Sequence, residues 1–273
     1  MPLDPTNEVV DDPAFRIVFV FHNDLELFSE TAPRCLDALT SPTREQHEIV
    51  VYCDGTSPGT LRQLFDVTAG WGVDEVVVRH RGRYLASGAP GNNSHRRLFP
   101  TRSTYLCVIE DDVVIYKTDV SFDALGAIRE TFVREPESVA LFRVDDHENW
   151  AWPLADVAPP TAAGDRVVNR VATHFICYDT RRFTPVADAL GAFRLDTFVD
   201  RDDWSYNWED LVSHVGTTGG RKILFTETWP LQVFHCDEKV APGSMYHTQD
   251  PAVKLAVFRH VDSRYGATGA NAR

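Results

Sequence analysis

The sequence predicts an α/β fold in which a mostly parallel, Rossmann-like central sheet flanked by helices continues into a more elaborate C-terminal half. Three observations carry that prediction. Apolar runs of strand length alternate with helix-period segments through about the first 115 residues, the rhythm of right-handed crossovers between parallel strands. Several of these runs are apolar throughout rather than alternating, as in strands buried on both faces. Acidic residues stand where the strands end, and open parallel sheets bind ligands beyond those ends.

Residues 1–14 read as a flexible arm. Arg16 to Phe21 is the first strand. Leu25 to Leu39 follows, with Leu25, Phe28, Ala32, Cys35, Leu36 and Leu39 on one helical stripe. Pro33 inside it predicts a kink or a later helix start. Glu48 to Cys53 is the second strand, running into Asp54-Gly55-Thr56. A helix with Leu61, Leu64 and Phe65 leads to a third strand at Glu75 to Arg79. A short helix near Asn93 to Phe99 precedes the fourth strand, Thr104 to Ile109, which ends in Glu110-Asp111-Asp112. After about residue 150 the pattern loosens. Val139 to Val144, His174 to Tyr178 and Ile223 to Thr226 predict strands, while the Pro- and Ala-rich stretch Trp150 to Asp165 predicts a loop suited to a lid. The expected division is 15–116 and 117–265 as two halves of one domain, with a flexible tail at 266–273.

Of the 273 residues, 27 are basic and 40 acidic, for a formal charge of -13. Such a chain is repelled by nucleic acid and by anionic membrane surfaces, so neither is an expected partner. A phosphate-bearing ligand would need a local basic cluster or a bridging cation. No apolar stretch approaches the roughly 20 residues that span a bilayer, so an integral membrane protein is not expected. The five cysteines (Cys35, Cys53, Cys107, Cys177 and Cys236) form no CxxC pair. An odd count without framework spacing predicts reduced thiols. Met1 to Pro13 is acidic and proline-bearing rather than a basic-then-apolar leader. The expected location is cytoplasmic.

A lone carboxylate after a strand, such as Asp24, most often caps a helix or forms a turn. Three in succession at Glu110-Asp111-Asp112 repel one another unless a cation or donors lie close by. Oxygen ligands of this kind suit Mg²⁺ or Mn²⁺, which in turn grip a diphosphate. The order strand, Asp54, helix, strand, then Val108-Ile-Glu-Asp-Asp-Val113, resembles the donor half of glycosyltransferase family two and related GT-A enzymes. The resemblance implies a GT-A fold, with a nucleotide-sugar half at 15–116 and an acceptor-binding half at 117–265. It implies that Asp112 holds the divalent cation, that Glu110 or Asp111 meets the donor ribose, and that Asp54 reads the nucleobase. An acid there favours UDP- or dTDP-sugars over GDP-sugars. Glu110 departs from a literal DxD motif.

In the same resemblance, Asn23 keeps the Asn of the turn after strand one. Gly88 to Ser94 takes the place of a Gly/Asn-rich turn whose backbone N–H groups, with Asn92, face the donor. Trp208-Glu209-Asp210 matches an acidic pair whose second member removes the acceptor proton, so Asp210 is the expected base and Glu209 its substitute; Asp202 and Asp203 form a rival pair. His235, ending the run Leu231 to His235, matches a second metal ligand, with His247 as its substitute and a core histidine as the alternative. Arg79, His80, Arg81, Arg83, His95, Arg96 and Arg97 are the clustered cations, of which Arg96 is the expected diphosphate contact. Trp150, Trp152 and Trp204 are candidate sugar platforms or packing residues. The implied activity is metal-dependent inverting transfer, of the hexosyltransferase class, to a hydroxyl acceptor. Two other readings stay open, a catalytically degenerate nucleotide-sugar-binding partner and a sugar-1-phosphate nucleotidyltransferase.

Overall fold

The computed structural model describes residues 13–22, 24–79, 95–145, 154–193, 208–237 and 250–270. Its centre is a nine-stranded sheet. The strands are β1 (Phe15–Phe21), β2 (His47–Asp54), β3 (Glu75–Arg79), β4 (Tyr105–Glu110), β6 (Ser138–Phe142), β7 (Asp156–Ala158), β8 (Arg166–Val168), β9 (Phe175–Asp179) and β10 (Lys222–Phe225). They lie in the order β3-β2-β1-β4-β9-β6-β10-β8-β7. β1 pairs in parallel with β2 and β4, β2 with β3, and β6 with β10. β9 runs antiparallel between β4 and β6, and β8 runs antiparallel between β10 and β7.

β1 shows why the sheet is buried on both sides. Phe15, Ile17, Phe19 and Phe21 join one core, with Phe28 and Cys35 of α1 (Leu25–Thr40) and Leu61 and Leu64 of α2 (Pro58–Thr68). The same core takes Ile128 and Phe132 of α3 (Ala124–Arg134). Val18 and Val20 point the other way, toward Phe183 of α4 (Thr180–Ala189) and Trp208, Val212 and Val215 of α5 (Trp208–Thr217). This period-two division needs apolar residues at every position, as the unbroken runs predict. α5 sits so close to β10 that a side chain at Gly216 would collide with Ile223.

A second sheet pairs β5 (Val113–Lys117) with β11 (Leu231–His235), antiparallel, with His235 opposite Val113. The last helix, α6 (Pro251–Ala270), packs Phe258 and Val261 against Leu27, Val114, Tyr116 and Cys236.

Several expectations change. α1 runs through Pro33 without a later start; its buried face against β1 and β5 outweighs the loss of one backbone bond. Phe65 is exposed rather than packed. The helix expected near residues 93–99 is a four-residue 3-10 turn, His95–Leu98, among the described residues. β4 extends to Glu110, and β5 begins at once after Asp112. α6 stays helical to Ala270, five residues into the segment expected as a tail. All five cysteines are buried, and none is paired.

One buried cation joins the two sheets. Arg143 follows β6 and donates to the carbonyls of Thr226 (2.7 Å), Glu227 (2.6 Å) and Trp229 (3.2 Å). Its other nitrogens hold Asp145 at 3.1 and 2.5 Å. Asp145 in turn accepts from the Val233 N–H of β11 at 2.5 Å and donates its own N–H to the Val233 carbonyl at 2.8 Å. Replacing Arg143 with Met strands a carboxylate and three carbonyls, so the expected loss of unfolding free energy is about 3–5 kcal/mol, read by urea titration.

Candidate active site

The acidic triplet lies at the carboxyl end of β4, beside the ends of β1 and β2. Its three side chains have different surroundings. Asp111 accepts the His22 N–H at 2.7 Å, and its own carbonyl accepts the Thr31 hydroxyl at 3.2 Å. Burial, and then the charge of Asp112, push the Asp111 carboxyl up to about 7. Asp111, one of the two expected ribose contacts, thus ties the turn after β1 to the turn after β4.

Asp112 is buried. Its Oδ1 lies 3.1 Å from Nε2 of His235 and its Oδ2 2.5 Å from Nζ of Lys254. The Cys236 N–H donates to its carbonyl at 2.7 Å. Burial opposes the charge on Asp112, but His235 and Lys254 overcome it and hold the carboxyl well below its ordinary range. His235 is reached on its other nitrogen by Asp237 at 3.0 Å. Burial disfavours its protonated form, yet Asp112 and Asp237 together raise its pKa well above the usual imidazole value. Register explains the meeting: antiparallel pairing sets His235 across from Val113, one residue past Asp112.

Glu110 meets a further set of partners. Its Oε1 accepts the Thr173 hydroxyl at 2.9 Å, and the same hydroxyl lies 3.3 Å from Oε1 of Glu209. The Thr173 hydroxyl thus stands between the two carboxyl groups. Burial, then Glu110, push Glu209 up to about 7. His95, fully buried, places Nε2 3.8 Å from Glu110, and burial pushes its pKa down to about 4. The ring of His174 lies against that of His235, tilted by 46°, with centroids 3.9 Å apart. Its Nδ1 is 4.0 Å from Glu110.

α5 delivers the 209–210 pair. Trp208, its first residue, is fully buried and donates to the Tyr178 hydroxyl at 2.8 Å. Glu209 then faces Thr173, while Asp210 is half-exposed and 4.0 Å from Arg170. Arg96 is buried 6.0 Å from the centre of the Trp208 ring, and burial brings its pKa down to about 10. Asp24 caps α1 by accepting from the Leu27 N–H at 3.1 Å.

Asp112, His235 and Asp237 offer ligand atoms within 4.8 Å of one another, and so do Glu110, His174 and His235. Carboxylate oxygens with one imidazole nitrogen fit a divalent ion such as Mn²⁺ or Mg²⁺. The structure therefore brings together Glu110, Asp111, Asp112, His235 and Glu209, with Asp210 on the next position of the same helix. Asp54 closes β2, but its side chain lies outside the described residues. So do Asn23, Asn92, His80, Arg81, Arg83, Trp150, Trp152, Asp202, Asp203, Trp204 and His247. Sequence reasoning missed Thr173, His174, Asp237 and Lys254. His174 and Asp237 flank strand-like runs and had a local signal; Thr173 and Lys254 had none.

No family model matches the sequence, and no curated protein matches it. Solved structures do. TarS 1–349 of S. aureus in complex with UDP-GlcNAc superposes with a TM-score of 0.50 at 13% identity, over 91% of this chain and 65% of that one. GalNAc-T7 with UDP, GalNAc and Mn²⁺ matches with a TM-score of 0.50 at 14% identity, over 90% of this chain and 48% of that one. The mannosyltransferase PcManGT of Pyrobaculum calidifontis, with GDP-Man and Mn²⁺, matches with a TM-score of 0.48 at 12% identity, over 80% and 59%. These are GT-A glycosyltransferases, and the fold of this chain is GT-A. The chain spans less than two thirds of the length of each of the three. Among the described residues no helix is long and apolar enough to cross a membrane.

The raised Glu209 carboxyl has a consequence for stability. A folded-state pKa near 7 against an unfolded value near 4.5 means that the native state holds the extra proton between those values. Stability tied to Glu209 is then lost as pH rises through about 7. Glu209→Gln keeps the link to Thr173 and removes the ionisation. The variant is expected to match wild type near pH 4.5 and to exceed it by about 1–3 kcal/mol at pH 8, measured by denaturant unfolding at both pH values.

Proposed function

We propose that this protein is a divalent-cation-dependent, inverting glycosyltransferase that moves a sugar from a nucleoside-diphosphate sugar to a hydroxyl acceptor. The observation that carries the proposal is the convergence of Asp112, in the turn between β4 and β5, with His235, the last residue of β11, at the carboxyl end of β4 on a GT-A sheet. TarS with UDP-GlcNAc and GalNAc-T7 with UDP, GalNAc and Mn²⁺ share that fold, and support a nucleotide sugar as donor. Asp54, the acid that in the family resemblance reads the nucleobase, supports a UDP- or dTDP-sugar.

In this reading Asp112 and His235 hold the cation, with Asp237 behind the imidazole orienting it. The cation, when bound, neutralises charge on the leaving diphosphate. Asp111 fixes the turn after β1 through the His22 N–H and so shapes the nucleotide side of the cleft. Asp210 accepts the acceptor proton. It is half-exposed beside Arg170, so an acceptor can reach it. Glu209 and Thr173 hold Glu110 in place. Imidazole ligation favours Mn²⁺ over Mg²⁺.

The test combines binding with turnover. Nucleoside diphosphates with Mn²⁺ are expected to raise the melting temperature of the wild type. Asp112→Ala is expected to lose the metal-dependent part of that rise. Asp210→Ala is expected to keep it while kcat for transfer falls roughly 10²–10⁴-fold. Full turnover in both variants would refute the assignment.

A further inference from the structure

Lys254 enters the acidic site from α6, and the helix itself gives no reason for a cation there. The residue follows Asp250, whose carboxylate accepts the Ala252 N–H at 2.9 Å and starts the helix. A lysine in the first turn faces the positive end of the helix dipole, where acids are favoured. Its position is set from further along. Lys254, Phe258, Val261 and Tyr265 recur at helical spacing on one face. Phe258 and Val261 pack against Leu27, Val114, Tyr116 and Cys236. Asp262 is clamped by Nε and Nη2 of Arg34 at 2.8 and 3.0 Å and by the Tyr116 hydroxyl at 2.9 Å. With the helix so held, Lys254 is 8% exposed and places Nζ 2.5 Å from Oδ2 of Asp112. Asp111 and Asp237 also act on this ammonium.

Asp112 therefore has a partner on each oxygen, the imidazole of His235 on Oδ1 and the ammonium of Lys254 on Oδ2. A divalent ion drawing on the same carboxylate meets an ammonium already at hydrogen-bond distance, and like charges that close repel.

We propose that Lys254 is a tethered competitor for Asp112, through which the C-terminal helix sets the affinity of the site for divalent ions. The inference rests on the reading of Asp112 and His235 as ligands of the cation. It adds a consequence by linkage: the ion must weaken the hold of Lys254 as much as Lys254 weakens the hold of the ion. The first turn of α6 loosens when the ion binds, while the Asp262–Arg34 clamp keeps the rest of the helix docked.

The experiment measures Mn²⁺ binding to the full chain without nucleotide, from the electron paramagnetic resonance signal of free Mn²⁺. Lys254→Met is expected to bind Mn²⁺ roughly tenfold more tightly than wild type, and Asp112→Asn to lose binding. Unchanged or weaker binding in Lys254→Met, with binding still lost in Asp112→Asn, overturns the competitor role and leaves the ligand assignment standing. Wild-type binding that survives Asp112→Asn overturns both. A second measurement needs no variant. Mn²⁺ is expected to speed hydrogen exchange at the amides of residues 254–257 and to leave those of residues 259–263 unchanged; slower or equal exchange at 254–257 overturns the inference.

Discussion

Burying the carboxylate of Asp112 is the constraint around which the C-terminal half is arranged. Removing such a group from water costs several kcal/mol unless charges and donors replace the lost hydration. The replacements come from far along the chain. β11 brings His235 to one carboxylate oxygen, and α6 brings Lys254 to the other. Asp112 sits where the large sheet ends and the small one begins, since β4 stops at Glu110 and β5 starts at Val113. A single carboxylate thus holds two sheets and a helix in register. Arg143 and Asp145 brace β11 from the other side, so His235 is fixed by both its neighbours and its strand.

Adjacency in sequence does not give the triplet a common environment. Alternation along β4 sends Glu110 toward Thr173, while the turn that follows aims Asp111 at the His22 N–H and Asp112 at His235 and Lys254. The result is a divergence of acidity between neighbours. Asp111 is raised to about 7, chiefly by burial and by Asp112, whereas cationic partners overcome burial at Asp112 and lower it. Groups whose environments push their pKa values apart are the usual source of distinct acid and base roles. Here the split also relieves the repulsion that three neighbouring carboxylates would otherwise carry.

The first half of this arrangement was legible from the residues because its signals are local. β1 to β4 are apolar runs bounded by polar turns, and their predicted limits fall within a residue or two of those observed. Glu110 to Asp112 and the Glu209–Asp210 pair stood out as carboxylates beside apolar elements. β5 was missed because Val113 to Lys117 follows the triplet with no turn residue between them. α6 was missed because Val253, Leu255 and Val257 interrupt the stripe formed by Lys254, Phe258 and Val261, so no clean helical period appears. The bond from Lys254 to Asp112 spans 142 positions, and no pattern within a window of the sequence contains it. Thr173 was hidden for a related reason: its importance lies in standing between Glu110 and Glu209, 63 and 36 residues away.

The geometry of α5 separates the two acids that follow Trp208. Successive residues on a helix diverge by about 100°, so once Trp208 is buried against Tyr178 the next two side chains cannot share a direction. Glu209 falls toward the interior, where Thr173 and Glu110 receive it, and burial favours its protonated form. Asp210 falls outward beside Arg170 and remains open to solvent. The anchoring of one tryptophan therefore separates the two acids, one turned to Thr173 and Glu110 and the other to solvent beside Arg170.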